Sequence, residues 1–245
     1  MKETPAERPI PFFTTTPSPC PYIPGRVERK LVTELDGGQA EALHDALSQA
    51  GFRRSHRIIY VPACPDCSAC VPVRVPVERF RAGRNLRRVW NRNSDLTLVD
   101  RPAEAREDHF HLFREYELAR HGEGDMACMD FRDYQAMVEE TPVQTWLMEA
   151  HHPEAGLVGV CLADELGDGL SAVYSFFAPG MERRSLGSFL ILCLIERARA
   201  LGLPHVYLGF WIAESRKMAY KARFRPLEGF GPDGWHDLAS DAPDG

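Results

Sequence analysis

The chain lacks any run of about 18 uninterrupted apolar residues, the length a membrane-spanning helix needs. Its opening, MKETPAERPIPFF, lacks the apolar centre of a secretory leader. No internal repeat is present, and compositional bias is confined to the two ends. A paired cysteine framework is also missing: the cysteines number seven, an odd count, three of them crowd into CPDCSAC, and nothing signals export. Metal ligands or plain thiols are the readings left for them. These absences lead us to expect a soluble, cytoplasmic protein without a membrane partner. With 245 residues and 44% apolar content, the chain can bury a sizeable core as one large domain or two small ones.

A net charge of −6 conceals a basic region. Between Phe52 and Arg101 stand eleven arginines and no lysine, against four carboxylates, a local excess of +7. Arginine's planar fork suits phosphate, and its face stacks on bases. A polyanionic partner follows, and RNA rather than DNA fits an acidic protein with one basic face. The competing reading is a solvated surface with internal ion pairs.

The N-terminal half is mixed. Residues 1–11 read as a disordered tail, and PFFTTTPSPCPYIPGR carries too many prolines for a helix. GGQAEALHDALSQAG places Leu43, Leu47 and Ala50 at helical spacing and stops on Gly51. RIIYVPA and VPVRVPV predict strands on either side of the cysteines. Between Val77 and Asn93 a helix is expected whose Arg84, Arg87, Arg88 and Arg92 share one face, a stripe suited to phosphate contacts. A helix from about Pro102 to Arg120 follows, opened by proline and acidic in its first turn.

After a further loop and helix the pattern changes. QTWLMEA, GLVGVCLADEL and LSAVYSFFAP alternate as an antiparallel meander. Next come the loop RRSLGS, an apolar helix, the strand PHVYLGF, a helix from Glu214 to Phe224, and a strand beginning Arg225-Pro226. Residues 233–245 read as a fraying tail. This order is that of an acetyltransferase-like (GNAT-type) fold, so the fold class is α+β: a smaller N-terminal α/β domain with the cysteine cluster at 12–101, and a GNAT-type domain at 102–232. In that fold the loop before the central helix offers backbone N–H groups to a coenzyme A diphosphate. Here Phe189 stands where a small residue is wanted.

Five stretches carry a more specific likeness: FFTTTPSPCPYIPGR, YVPACPDCSACVPVRVPVERF, the basic helix ending RRVWNRN, EYELARHGEGDM and YLGFWIAESRKMAYKARFRPLE. Together, from Phe12 to Glu228, the chain resembles the aminoacyl-tRNA–protein transferase family, and within it the bacterial aspartate/glutamate leucyltransferases. The resemblance implies transfer of leucine from leucyl-tRNA to the α-amino group of proteins that begin with Asp or Glu, marking them for N-degron proteolysis. It also brings Cys20 to Cys64, Cys67 and Cys70, four thiolates that suit tetrahedral zinc or an iron–sulfur cluster; reduced thiols are the other reading.

The chemistry implied needs little from the protein. An aminoacyl ester is already activated, and an α-amino group titrates at about 8, so positioning can supply several kcal/mol without an obligatory base or cofactor. Tyr174 and Tyr207, near strand ends, are the expected donors to the leaving ribose oxygen or the oxyanion. An acidic acceptor side chain needs a cation, for which Arg183, Lys217, Arg223 and Arg225 are the first expectation and Arg57 and Arg74 the next. Two other functions compete: a coenzyme A-dependent N-acetyltransferase, and a noncatalytic, metal-anchored RNA-binding module.

Overall fold

The computed structural model describes residues 9–122 and 124–238. Its first half runs β1 (Phe13–Thr14), β2 (Ser18–Pro19), β3 (Val27–Glu28), β4 (Lys30–Glu34), α1 (Ala40–Gln49), β5 (Arg53–Ser55), β6 (Ile58–Pro62), β7 (Val71–Pro76), α2 (Arg84–Arg92) and β8 (Thr97–Pro102). The second half runs α3 (Glu107–His121), α4 (Phe131–Glu139), β9 (Thr145–His152), β10 (Gly156–Leu166), β11 (Gly169–Phe177), α5 (Leu186–Ala200), β12 (His205–Trp211), β13 (Glu228–Gly231) and β14 (Gly234–Asp237).

The strands form two principal sheets. A small one, in the order β1-β4-β6-β5, packs with α1 around Leu35, Ala40 and Ile59. A large one runs β14-β13-β7-β12-β11-β10-β9-β8. The apolar helix α5 buries Leu190, Leu194 and Ile195 on one of its faces, while α3 and α4 cover the other with Phe113, Tyr134 and Val138. The resulting arrangement is a mixed α/β one, three layers deep. The meander β9-β10-β11 is as expected, with a two-residue turn, Gly167-Asp168, between Leu166 and Gly169.

Several expectations need correction. The proposed domain boundary between residues 101 and 102 cuts through β8, and β7 of the N-terminal half lies inside the large sheet, between β12 and β13. Pro102 closes β8 instead of opening a helix, since an edge strand tolerates its missing N–H; α3 begins at Glu107 with Glu107 and Asp108 in its first turn. The helix expected from Val77 begins only at Arg84, because Val77 and Phe80 are drawn into the core and extended Gly83 sets the start. Residues 214–224 form turns and a short 3-10 helix at Ala219–Arg223, not an α-helix. Of the expected tail, Gly234–Asp237 is a strand paired with β13. Residues 1–8 and 239–245 lie outside the described part.

The two sheets are joined by a buried ion pair. Arg54 of β5 donates to both oxygens of Asp164 on β10, at 2.6 Å each, and Thr145 donates to the same carboxylate at 2.7 Å. Both charged partners are almost entirely buried. Replacing Asp164 by Ala leaves Arg54 as an uncompensated charge, and we expect a loss of about 3–5 kcal/mol in urea unfolding.

Candidate active site

The site is built on a parting of strands. Among the described residues, β11 and β12 are the one parallel pair in the large sheet, and they pair only through Gly169, Leu170 and Ser171 against His205, Val206 and Tyr207. Beyond that point both strands continue without each other, so backbone groups facing the gap need other partners. Arg53 Nη2 donates to the carbonyl of Val173 on β11. Lys221 Nζ donates to the carbonyl of Phe210 on β12 at 2.6 Å, and Pro72, across the ladder from Phe210, has no N–H to offer. Two cations thus cap the parted strands. Lys221 is buried, which pushes its titration well below the usual lysine range, with the charge of Arg53 adding to the effect.

Lys221 also explains the local chain path. Its ammonium must reach inward to β12, so the segment before it is wound by tight turns, with Met218 N–H on Ser215 and Lys221 N–H on Met218. A regular helix would direct the side chain elsewhere.

A group of tyrosines and one acid adjoins the gap. Tyr174 donates its hydroxyl to Glu117 of α3, and the tyrosine titrates far above its ordinary range through burial first and that hydrogen bond second. Burial raises the titration of Tyr116 and Tyr220 as well, and the charge of Arg53 opposes the rise at Tyr174 and Tyr220. Arg120 lies over the rings of Tyr116 and Phe177, 5.9 and 5.6 Å from their centroids.

The expected site residues are distributed differently. Tyr207 stands at the last paired position, its hydroxyl donating to Asp168 at 2.8 Å and accepting from Arg74 at 3.2 Å. Arg74 in turn binds Glu228 at 2.8 Å and lies over Trp235. Lys217 is exposed and acts on His121 at the end of α3. Arg225 is fastened to the carbonyl of Leu238, Arg183 lends its own carbonyl to Arg92, and Arg223 is exposed. Arg57 is exposed and pairs with Asp36. Of these cations, the structure therefore brings Lys217 toward the tyrosines and leaves the others on separate anchors.

Helix α2 closes over the head of α5. Leu86 is buried, Trp90 packs on Phe189 with centroids 5.8 Å apart, and Asn93 Nδ2 donates to the carbonyl of Arg184 at 2.9 Å. Arg184 reaches back to Asp95 through two bonds of 2.8 Å. Arg84, Arg87, Arg88 and Arg92 are all on the exposed side of α2. The loop that would cradle a diphosphate is thereby filled from within.

The four cysteines Cys20, Cys64, Cys67 and Cys70 are partly buried and unpaired. The Cys70 thiol is pushed up to about 11 by burial, with Cys20, Cys64 and Cys67 adding to it. The N–H groups of Ile23 and Arg29 point at the sulfurs of Cys20 and Cys64, each at 3.4 Å. Among the described residues, no three His, Cys, Asp or Glu side chains are already drawn together as metal ligands.

Comparison with known proteins adds a family. The profile described as "Arginine-tRNA-protein transferase, N terminus" matches residues 18–88, and that described as "Arginine-tRNA-protein transferase, C terminus" matches residues 108–231. The chain is 55% identical to the aspartate/glutamate leucyltransferase of Paramagnetospirillum magneticum, with 98% of each chain covered. It is 55% identical to that of Gluconacetobacter diazotrophicus over 98% of this chain and 93% of the other. Among solved structures, FemX aligns with a TM-score of 0.46 and 11% identity, over 74% of this chain and 63% of that one.

Arg53 reaches the gap only because residue 209 has no side chain. A Cβ there would lie 2.5 Å from Arg53 Nη1, and φ of +71° is itself unfavourable for an L-residue. Gly209→Ala is expected to lower stability by about 1–3 kcal/mol in chemical denaturation. In an Arg53→Ala background the cost should shrink; an unchanged cost would assign it to the backbone alone.

Proposed function

As a member of the aminoacyl-tRNA–protein transferase family, the chain is an aminoacyltransferase, and we propose that it moves leucine from leucyl-tRNA to the α-amino group of proteins beginning with Asp or Glu. The observation that carries this reading is the parted β11–β12 gap, lined by cations and tyrosines, on a chain similar over almost its whole length to aspartate/glutamate leucyltransferases. Parallel strands that separate beside a central helix are also what an acetyltransferase-like (GNAT-type) fold uses for its cleft. The loop before α5 favours tRNA over coenzyme A as donor, because the N–H groups of Arg184, Ser185, Ser188 and Phe189, which a diphosphate would need, already bind carbonyls of the loop itself.

In this reading the protein mainly positions. The exposed arginines of α2 hold donor phosphates. The acceptor enters the gap, where its acidic side chain is neutralised by a fixed cation; Arg53 joins Arg183, Lys217, Arg223 and Arg225 as candidates. Tyr174 serves the oxygen that leaves or the oxyanion when its hydroxyl turns from Glu117 to the substrate, and Tyr207, held by Arg74 and Asp168, fixes the foot of the gap. The lone pair of the acceptor nitrogen attacks the ester carbonyl, the carbon–nitrogen bond forms, and the ribose oxygen departs with a proton. Described residues include no helix long and apolar enough to cross a membrane, in keeping with a donor and acceptor that are both dissolved.

The cysteine cluster has its own assignment in this proposal. Cys20, Cys64, Cys67 and Cys70 would hold a zinc ion or an iron–sulfur cluster, a thiolate set whose N–H···S bonds from Ile23 and Arg29 suit charged sulfur. The metal would supply a cross-link between the β2–β3 ladder and the turn at 64–70, and no chemistry. Elemental analysis of protein purified without chelator should find about one zinc or one cluster per chain. A folded, active, metal-free preparation would refute this part.

Transfer itself is tested by offering leucyl-tRNA and acetyl-coenzyme A together with peptides that start with Asp or Asn. Leucine should be added to the Asp peptide and no acetyl group to either; acetylation alone would sink the proposal. Replacing the cation that holds the acid should reduce efficiency on the Asp peptide by roughly ten- to hundredfold and on the Asn peptide far less. Arg84→Ala with Arg87→Ala should weaken tRNA binding and lower its logarithmic salt slope by about 2.

A further inference from the structure

Three acidic residues are buried among the described residues: Glu117, Glu149 and Asp164. Two are compensated by cations or imidazoles. Asp164 holds Arg54, and Glu149 is bonded by His109 at 2.8 Å and His151 at 2.7 Å. Glu117 is different. At 1% exposure it forms no ion pair with any described residue; its one hydrogen-bond partner there is the Tyr174 hydroxyl, and the His121 imidazole, one turn on in α3, acts on it without bonding to it. A carboxylate withdrawn from water with one neutral donor is a costly arrangement, and such a group calls for an explanation.

Its surroundings suggest what would complete it. Tyr174 links the carboxylate to the parted strands through its hydroxyl, and its ring meets that of Phe113, from the helix that carries Glu117, with centroids 6.3 Å apart. A buried carboxylate held beside an aromatic ring is chemistry that recognises a small ammonium, through charge pairing and the negative face of the ring. Arg53 donates to the carbonyl of Val173, the residue before Tyr174, so a positive group at Glu117 and a negative group at Arg53 would both be held along β11. That pattern matches an amino-acid terminus with an acidic side chain.

We propose that Glu117, with Tyr174, forms a receptor for a primary α-ammonium group. Two substrates carry one: the N-terminus of the acceptor and the leucyl ester of the donor. The inference rests on the transfer reading for the identity of these ligands, but it concerns binding and can fail or stand without turnover. Through the Tyr174–Glu117 bond the receptor fixes where the amine lies relative to the gap.

The test uses isothermal titration of the full chain with four probes: an Asp-starting hexapeptide, its N-acetylated form, leucinamide and N-acetyl-leucinamide. At least one free amine should bind about tenfold or more tightly than its acetylated partner. The peptide pair assigns the receptor to the acceptor, the leucinamide pair to the donor. Glu117→Gln, which keeps an acceptor for the Tyr174 hydroxyl, should abolish the difference. Persistence of the preference in this variant, or no preference in the unaltered protein with either pair, overturns the proposal. If Glu117→Gln fails to melt cooperatively, Glu117→Met, of similar volume and without charge, is titrated instead, and an unchanged preference there overturns it as well. Lack of leucine transfer alongside amine discrimination that depends on Glu117 would reject the transfer reading and leave the receptor in place.

Discussion

Two carbonyl groups, those of Val173 and Phe210, lose their strand partners where β11 and β12 separate, and an unpaired carbonyl away from water is expensive. Arg53 and Lys221 satisfy them from opposite directions along the chain. Arg53 comes from the small sheet, and its neighbour Arg54 anchors that sheet to β10 through Asp164. Lys221 comes from the turns after β12. Opening a cleft in the sheet therefore obliges two distant segments to converge on it, each bringing a basic side chain whose N–H groups answer a carbonyl.

Burial and pairing divide the polar residues by role. The Arg54–Asp164 pair and the Glu149–histidine group are closed systems, each charge answered within hydrogen-bond distance. They hold layers together. Glu117 and the exposed arginines of α2 are open systems, with capacity left for something outside the chain. The same distinction separates the two tyrosines singled out from sequence: Tyr207 is committed to Asp168 and Arg74, whereas Tyr174 leads to the acid with capacity to spare.

Periodic segments were legible. The α1 helix with its glycine stop, the meander and the apolar α5 follow from local patterns that burial reinforces. The arginine stripe of α2 was legible too, although the helix is shorter than its charge pattern suggested, since Val77 and Phe80 belong to the core. Residues 214–224 misled because helix-favouring composition yields to one long-range bond, that of Lys221 to Phe210. Glu117 lay in plain view within EYELARHGEGDM, but burial without a cation is a property of three dimensions. Gly209 was the one local hint of Arg53: an isolated glycine in the strand PHVYLGF marks a close approach by another group. Strand β7 gave no such hint, for its alternation fits either sheet.

That placement of β7 has a kinetic side. Its pairing of Val75 with Val206 spans about 130 residues, and its other neighbour, β13, is synthesised later still. Closing so long a loop costs entropy before any contact repays it, and pairings of this kind slow folding. On the ribosome the strand emerges early, with a row of unpaired backbone groups on both edges, and must wait for nearly the whole chain before either is covered. The sheet that carries the cleft can thus be completed only once β12 and β13 have followed, and a chain cut before them would present β7 as an open edge.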